Sequence, residues 1–190
     1  MSVLTAVQPP ATPVPLMTVE EFTARYANVP AELVKGVVKE YPMAGLNHGK
    51  ICLLIGRLIG NHVEAQDLGH VMSNDSWVRT GPDTVRGGDV LFYSYERLPK
   101  GAPVPDGMHS LAPDLVIEVK SPTDRWGELF AKVGEYLQAG VRVVVVLDPK
   151  SFSASVYRPD ELQQIFHNGD DLTLPDVLPG FSLAVSRLFA

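Results

Sequence analysis

The stretch that decides the fold is Pro113-Asp114-Leu115-Val116-Ile117-Glu118-Val119-Lys120-Ser121-Pro122. Between its two prolines it has the apolar composition of a buried β-strand, and side chains alternate between the two faces of a strand. The apolar odd-numbered residues then share one face, which suits packing against a helix. Glu118 and Lys120 lie together on the other face, with their Cα atoms roughly 6.5–7 Å apart. Because a carboxylate and an ammonium are costly to bury without partners, this pair points to a chemical role.

A divalent cation would account for a carboxylate in this strand. Mg²⁺ prefers oxygen ligands and commonly takes only one or two carboxylates, with water and substrate phosphate completing its coordination. Glu118 supplies one carboxylate. The best candidate for the second is Asp89, which we expect to begin a strand where the chain leaves a turn at Gly87 and Gly88. Such a cation activates water for phosphodiester hydrolysis, and Lys120 can orient that water or stabilise negative charge.

The rest of the chain predicts helices and strands around these residues. Thr18 and Glu21 have the spacing of a capping box, Lys35-Gly36 separates the two halves of a hairpin, and Asn47 is predicted to cap a long helix. The leucine-rich tail after residue 170 is expected to pack back on the domain. The predicted helices span about 19–26, 47–65 and 124–139, with Gly140 after the last; the further predicted strands span about 71–79, 88–95, 114–120, 141–147 and 153–158, and a long loop covers 97–113.

Composition limits the functional classes. The 190 residues suit one domain at 17–190, and the four prolines within 1–16 predict a disordered extension. The net charge of -6 counts against a protein that coats DNA, and counts less against an enzyme whose metal neutralises phosphate locally. The single cysteine, Cys52, excludes an intramolecular disulfide, makes a cysteine-based zinc site unexpected and favours a place in the core. We expect no signal peptide and no membrane span, and therefore a cytoplasmic protein.

These residues resemble a known family. Asp89 followed by Glu118-x-Lys120 is similar to the signature of the PD-(D/E)xK nuclease superfamily. Over about residues 17–189 the chain resembles more closely the Uma2 group of restriction-endonuclease-like proteins, although Gly88 stands where the signature usually has proline. The stretches that carry the resemblance are Met17-Thr18-Val19-Glu20-Glu21-Phe22, Glu32-Leu33-Val34-Lys35-Gly36, His48, Ala112-Pro113-Asp114-Leu115-Val116-Ile117-Glu118-Val119, Lys132 with Tyr136, Ala139-Gly140-Val141 and Leu178-Pro179-Gly180-Phe181.

The resemblance implies an α/β (α+β) fold, with a restriction-endonuclease-like mixed β-sheet core flanked by helices. It implies an endonuclease that acts on DNA, with Mg²⁺ or Mn²⁺ held by Asp89 and Glu118 and with Lys120 as the catalytic lysine. It also places Glu32 beside the metal. Restriction enzymes of this superfamily often act as dimers, because two DNA strands need two sites, so a homodimer is expected by analogy.

Two further residues are assigned supporting roles toward metal, phosphate or lysine. His48 follows the predicted helix cap and either contacts phosphate or transfers a proton near neutral pH, or only hydrogen-bonds the helix end. Lys132 lies roughly 60° around its helix from the buried Leu129, so it either reaches the site or extends its amine to solvent.

Structural roles are also open for the acidic residues. Glu118 and Lys120 can form a salt bridge on an edge strand, and Asp89 can be a residue of a strand start or turn. Glu32 can be an exposed charge at the end of a hairpin, and Asp114 can close the loop before it. The alternative functions are therefore a catalytically inactive nuclease-fold module that binds nucleic acid or protein, or a metal-dependent hydrolase of a small phosphate ester.

Overall fold

A computed structural model of the protein describes residues 15–27 and 29–190, so residues 1–14 of the predicted extension lie outside it. The elements run in the order α1 (Val19–Tyr26), β1 (Ala31–Val34), β2 (Val37–Glu40), α2 (Leu46–Ala65), β3 (Gly69–Gly81), β4 (Thr84–Ser94), β5 (Leu115–Val119), α3 (Trp126–Gln138), β6 (Val143–Asp148), β7 (Ser153–Tyr157), β8 (Gln164–Phe166), β9 (Asp171–Thr173), β10 (Ser182–Ala184) and α4 (Ser186–Phe189).

The described strands form a mixed sheet of eight strands and a separate pair, β9 and β10. The large sheet has the order β2-β1-β4-β5-β6-β7-β8, and β3 pairs with the remaining edge of β4. β5 and β6 run parallel, joined by α3 as a crossover, whereas the other neighbours are antiparallel. The fold is a mixed α/β architecture, which confirms what the family resemblance implied.

The two faces of β5 pack against different helices. Its apolar odd-numbered residues join a core that includes Ile51, Ile55 and Ile59 of α2, which confirms the predicted helix-packing face. Its opposite face packs, through Val116, against the buried stripe of α3. The stripe consists of Leu129, Val133 and Tyr136. The face that carries Glu118 is therefore covered by a helix. β5 also pairs with β4 on one side and with β6 on the other, which rules out an edge strand.

The N-terminal elements form as predicted. The Thr18 hydroxyl accepts from the Glu21 amide, and the Glu21 carboxylate accepts from the Thr18 amide, so the capping box is complete. At the hairpin turn, Lys35 and Gly36 adopt φ values of 51° and 75°, a left-handed conformation that glycine adopts without strain. Phe22 of α1 packs on β1 and β4 and fixes this hairpin to the sheet.

Two local predictions are wrong. α2 begins at Leu46 and its N-cap is Gly45, with no side-chain hydrogen bond, so Asn47 is inside the helix. Asp89 does not begin a strand, because β4 already starts at Thr84 and pairs along both edges. Glycine at 88 has a packing reason instead: a Cβ there would lie 2.5 Å from Leu91 Cδ2.

The C-terminal half follows the prediction more closely. α3 begins at Trp126, two residues after the predicted start, because Asp124 accepts a hydrogen bond from the Ser121 amide in the preceding turn. Gly140 ends the helix with a φ of 96°. The tail packs on the domain as expected, with the following residues buried: Leu172, Leu174, Leu178, Phe181, Leu183 and Leu188. Among the described helices, none has the length and apolar character needed to cross a membrane.

Candidate active site

The candidate site lies at a fork in the sheet. β1 and β5 both flank the edge of β4 that lies opposite β3, but they pair with different parts of it. β1 meets β4 at Val85, whereas β5 pairs with β4 from Val90 to Phe92. The segment of β4 between these contacts contains Asp89, so the fork opens beside a carboxylate.

Side-chain oxygens take the place of strand partners inside the fork. The Gly87 amide donates to Glu32 Oε1 at 3.0 Å, and the Val119 amide donates to Asp89 Oδ2 at 2.6 Å. Both acids are buried, with 5% exposure for Glu32 and 7% for Asp89. The fork therefore draws one carboxylate from β1 and one from β4 into the sheet interior, where the backbone amides hold them.

Glu118 brings a third carboxylate into this space from β5. The Lys132 ammonium of α3 donates to Glu118 Oε2 at 2.9 Å, and the Tyr136 hydroxyl lies 2.8 Å from Oε1. Burial raises the pKa of Glu118 to about 8, with the negative charges of Asp89 and Glu32 acting in the same direction and Lys132 opposing them. Its ionised form therefore depends on nearby positive charge.

Lys132 joins two of the carboxylates. Its Nζ lies 2.9 Å from Glu32 Oε1 as well as 2.9 Å from Glu118 Oε2. On the other side of Glu32, the Arg86 guanidinium donates to Oε2 at 2.8 Å and forms two hydrogen bonds with Glu135. Burial alone would raise the pKa of Glu32, but Lys132 and Arg86 outweigh it and lower that pKa to about 2. Glu32 is therefore a permanently charged anchor for Lys132.

His48 approaches Asp89 from the first turn of α2. Its Nε2 lies 3.4 Å from Asp89 Oδ2, and its Nδ1 lies 3.4 Å from Cys52 Sγ. The hydrogen bond with Asp89, together with the contact with Cys52, raises the pKa of His48 to about 11. The ring therefore connects α2 to the Asp89 carboxylate of the fork, and the contacts described for it do not include the end of its own helix.

Lys120 lies just past the end of β5. Its Nζ donates to the Ser121 carbonyl at 3.1 Å and sits 5.6 Å from the centre of the Trp126 ring. The ammonium that contacts Glu118 is thus that of Lys132, while Lys120 faces the same groove from its rim. The catalytic role predicted for Lys120 stays a prediction.

The predicted residues line one open groove of about 1870 Å³. Its walls come from the β1–β2 hairpin, the start of α2, the fork and α3. The predicted residues that it contains are Glu32, His48, Asp89, Glu118, Lys120 and Lys132. Asp114 lies elsewhere: it accepts from the Ser94 amide at 2.8 Å and pairs with Arg97 at 3.2 Å, so it closes the loop before β5.

Three residues of this region were not predicted as site residues. Arg86 anchors Glu32, Tyr136 contacts Glu118, and Cys52 contacts His48. Two of them carried a signal in the sequence: Tyr136 lies four residues after Lys132, and Cys52 lies four residues after His48, which is the spacing of neighbours on one helix face. Arg86 carried none, because its partners come from β1 and α3.

Comparisons with known proteins identify the fold and the family of the chain. One solved structure is described as that of "a putative nuclease belonging to DUF820" from Anabaena variabilis. It matches with a TM-score of 0.81 over 91% of this chain and 97% of its own, at 21% identity, which shows a shared fold. A search of curated proteins gave no match. Residues 19–186 match the profile of the Uma2 family, whose description is "Putative restriction endonuclease". The chain therefore belongs to the Uma2 family.

Proposed function

We propose that the protein is a divalent-cation-dependent endonuclease that hydrolyses phosphodiester bonds of DNA. The observation that supports this proposal most strongly is the meeting of Asp89, Glu118 and Lys132 in one groove, on separate elements of a nuclease-family fold. A buried acid beside an ammonium suits phosphoryl transfer, because the ammonium can stabilise the negative charge that develops at the reacting group.

The donor set suits Mg²⁺ or Mn²⁺. Asp89 and Glu118 would hold the ion, since carboxylate oxygens are the ligands that these hard cations prefer. Burial raises the pKa of Glu118, so an added positive charge in the groove favours its ionised form. When bound, the ion lowers the pKa of a coordinated water and stabilises charge on the phosphate.

The other residues of the groove have separate proposed roles. Glu32, charged and anchored by Arg86, holds the Lys132 ammonium against Glu118. From that position Lys132 stabilises negative charge beside the ion. Lys120, at the rim of the groove, orients water or contacts phosphate, and His48 supports Asp89 and the phosphate from the other wall.

The first test compares wild type with Glu118→Gln, which preserves size and removes the negative charge. Calorimetry with Mg²⁺ and plasmid cleavage are measured on both proteins, with Glu128→Gln as the control, since Glu128 is an exposed acid on α3 at the same groove. We expect Glu118→Gln to lose Mg²⁺ binding and to lower cleavage by about 100-fold or more. Equal cleavage by wild type and Glu118→Gln would falsify the proposed site.

The variants Lys120→Ala and Lys132→Ala, in the same assays, distinguish the roles of the two lysines. Loss of cleavage with retained Mg²⁺ binding identifies a lysine that acts on water or phosphate. If Lys132→Ala cleaves like wild type and Lys120→Ala does not, the role assigned here to Lys132 is wrong and the one predicted from the sequence for Lys120 holds.

A catalytically inactive binding module is the second candidate. One observation favours it: both oxygens of Glu118 already contact protein groups, Lys132 at 2.9 Å and Tyr136 at 2.8 Å. The net charge of -6 also limits binding along a phosphate backbone. Wild type that binds neither Mg²⁺ nor Mn²⁺ and leaves plasmid intact, yet shifts labelled DNA in a gel, would favour this candidate.

A further inference from the structure

A histidine, a cysteine and an aspartate, all residue types that can ligate a metal, lie together beside the fork. His48 and Cys52 are one turn apart on α2, and Asp89 faces them from β4. One ligand atom from each of the three lies within 4.8 Å of the others. His48 is at the centre of the group, 3.4 Å from Cys52 Sγ through one ring nitrogen and 3.4 Å from Asp89 Oδ2 through the other. We call these three residues the His-Cys-Asp cluster.

The donors of this cluster differ in kind from those proposed for Mg²⁺. A thiolate and an imidazole favour Zn²⁺ and related thiophilic ions, whereas Mg²⁺ keeps to oxygen. Two ligands four residues apart on one helix face reach the same ion, as in helical zinc motifs. Zinc bonds of about 2.0–2.3 Å put neighbouring ligand atoms roughly 3.3–3.7 Å apart, so rotation of the imidazole and shifts on the order of 1 Å would complete the arrangement.

The cluster also leaves room for a fourth ligand. His48 and Asp89 line the groove, while Cys52 is half-buried behind them against the α2 core. An ion held by the three side chains would thus have one side open to water or to an anion from the groove, as open zinc sites do. Its binding displaces the thiol proton and any proton on the imidazole, because only the deprotonated groups are ligands.

We propose that His48, Cys52 and Asp89 form a site for a thiophilic divalent cation of the Zn²⁺ class. Asp89 also belongs to the carboxylate pair to which the proposed function assigns Mg²⁺. Zn²⁺ and Mg²⁺ would then compete for Asp89, and this competition rests on the proposed function. The zinc site itself does not, because it uses neither Glu118 nor either lysine.

The experiment titrates Zn²⁺ and Co²⁺ into the full chain. Zn²⁺ binding is measured by calorimetry, and Co²⁺ reports on the sulfur through the thiolate-to-cobalt charge-transfer band in the near ultraviolet. The variants are Cys52→Ser, Cys52→Ala and His48→Gln, with His167→Gln as the control for an exposed histidine. Thermal unfolding of each protein without metal verifies that it is folded, and two substitutions of Cys52 guard against loss of folding in one of them.

We expect wild type and His167→Gln to bind one Zn²⁺ per chain and to show the Co²⁺ band. The folded Cys52 and His48 variants should bind Zn²⁺ at least about 10-fold more weakly, since loss of a group that only orients a metal ligand already costs that much affinity. Glu118→Gln should keep Zn²⁺ binding and the band. If wild type shows no thiolate band, or if Cys52→Ala binds Zn²⁺ as wild type does, the inference is overturned.

The same variants separate this inference from the proposed function. Loss of Zn²⁺ binding in Glu118→Gln would place the ion at the carboxylate pair and overturn the His-Cys-Asp site. If wild type binds Zn²⁺ and shows the Co²⁺ thiolate band but does not bind Mg²⁺, the inference is supported and the proposed function loses its basis.

Discussion

At the residue scale, the site is a set of buried charges whose states are fixed by their neighbours. Glu32 and Glu118 are both buried glutamates that contact Lys132, yet their pKa values move in opposite directions. Glu32 has two cationic partners, Lys132 and Arg86, which outweigh its burial. Glu118 has one cationic partner and two acidic neighbours, so burial prevails. The environment, rather than the residue type, makes one an anchor and the other a group that responds to added charge.

The anchor role of Glu32 predicts how stability depends on pH. The pKa of Glu32 falls from 4.5 to about 2 on folding, so its ionised form stabilises the native state. This contribution is fully present above pH 4.5 and is lost as pH falls through about 2. In Glu32→Gln the free energy of unfolding at pH 7 should drop by about 3–5 kcal/mol, because the buried Arg86 and the half-buried Lys132 lose a charged partner.

The check is urea unfolding of wild type and Glu32→Gln between pH 3 and pH 7. The difference between the two proteins should narrow as the solution becomes more acidic. Glu64→Gln, at an exposed acid of α2, should unfold like wild type throughout. A difference that stays constant from pH 7 to pH 3 would mean that the carboxylate charge of Glu32 is not what stabilises the fold.

At the element scale, α3 has a structural and a chemical face. Leu129, Val133 and Tyr136 fill the core beneath the sheet, and Lys132, between them in sequence, points its ammonium at the fork. The helix therefore sets the position of Lys132 through apolar packing. The hydrogen bond from the Tyr136 hydroxyl to Glu118 connects α3 to β5 a second time. The stability of this helix and the geometry of the site are linked.

Alanine substitutions of Gly134, inside α3, and of Gly140, just after it, should change the free energy of unfolding in opposite directions. Gly134 is inside the helix, and a Cβ there would meet no described atom within 4 Å, so Gly134→Ala should stabilise by about 1 kcal/mol. Gly140, just past the helix, has a φ of 96°, and Gly140→Ala should destabilise by about 1–2 kcal/mol through backbone strain.

Thermal and urea unfolding of wild type, Gly134→Ala and Gly140→Ala measure the two changes in stability. Because a Cβ at either position is free of contacts with described atoms, packing cannot explain a difference between them. Destabilisation by both substitutions, to the same extent, would show that the backbone argument for the end of α3 is wrong.

At the scale of the whole molecule, the proposed endonuclease would cut one strand at a time, because each chain carries one copy of Asp89, Glu118 and Lys132 at the fork. Cutting both strands of a duplex then needs two grooves, which a pair of chains provides. We therefore expect a homodimer, with a mass by sedimentation equilibrium of about twice the 20.7 kDa of one chain. Linear plasmid produced by a protein that sediments as a monomer at the assay concentration would contradict this expectation.

The sequence by itself determined most of the helices and strands. Alternating apolar residues specified β5, the capping box specified the start of α1, and Gly140 specified the end of α3, because each depends on neighbours a few residues away. The sequence also identified the acids and Lys132 as candidate site residues, through their pattern and the family resemblance. It misplaced the start of β4, since two glycines resemble a turn, and pairing on both edges overrides that local preference.

Only the tertiary structure decided which charges meet. The fork brings β1 and β5 to the same edge of β4, and α3 then crosses beneath it, so Lys132 contacts Glu118 although 14 residues separate them, and Glu32 although 100 do. The partnership of Arg86 with Glu32, and of Asp89 with the neighbouring His48 and Cys52 of α2, follows from the same packing. Electrostatic interactions act over a few ångströms of space whatever the distance along the chain, and that is why a local pattern cannot reveal them.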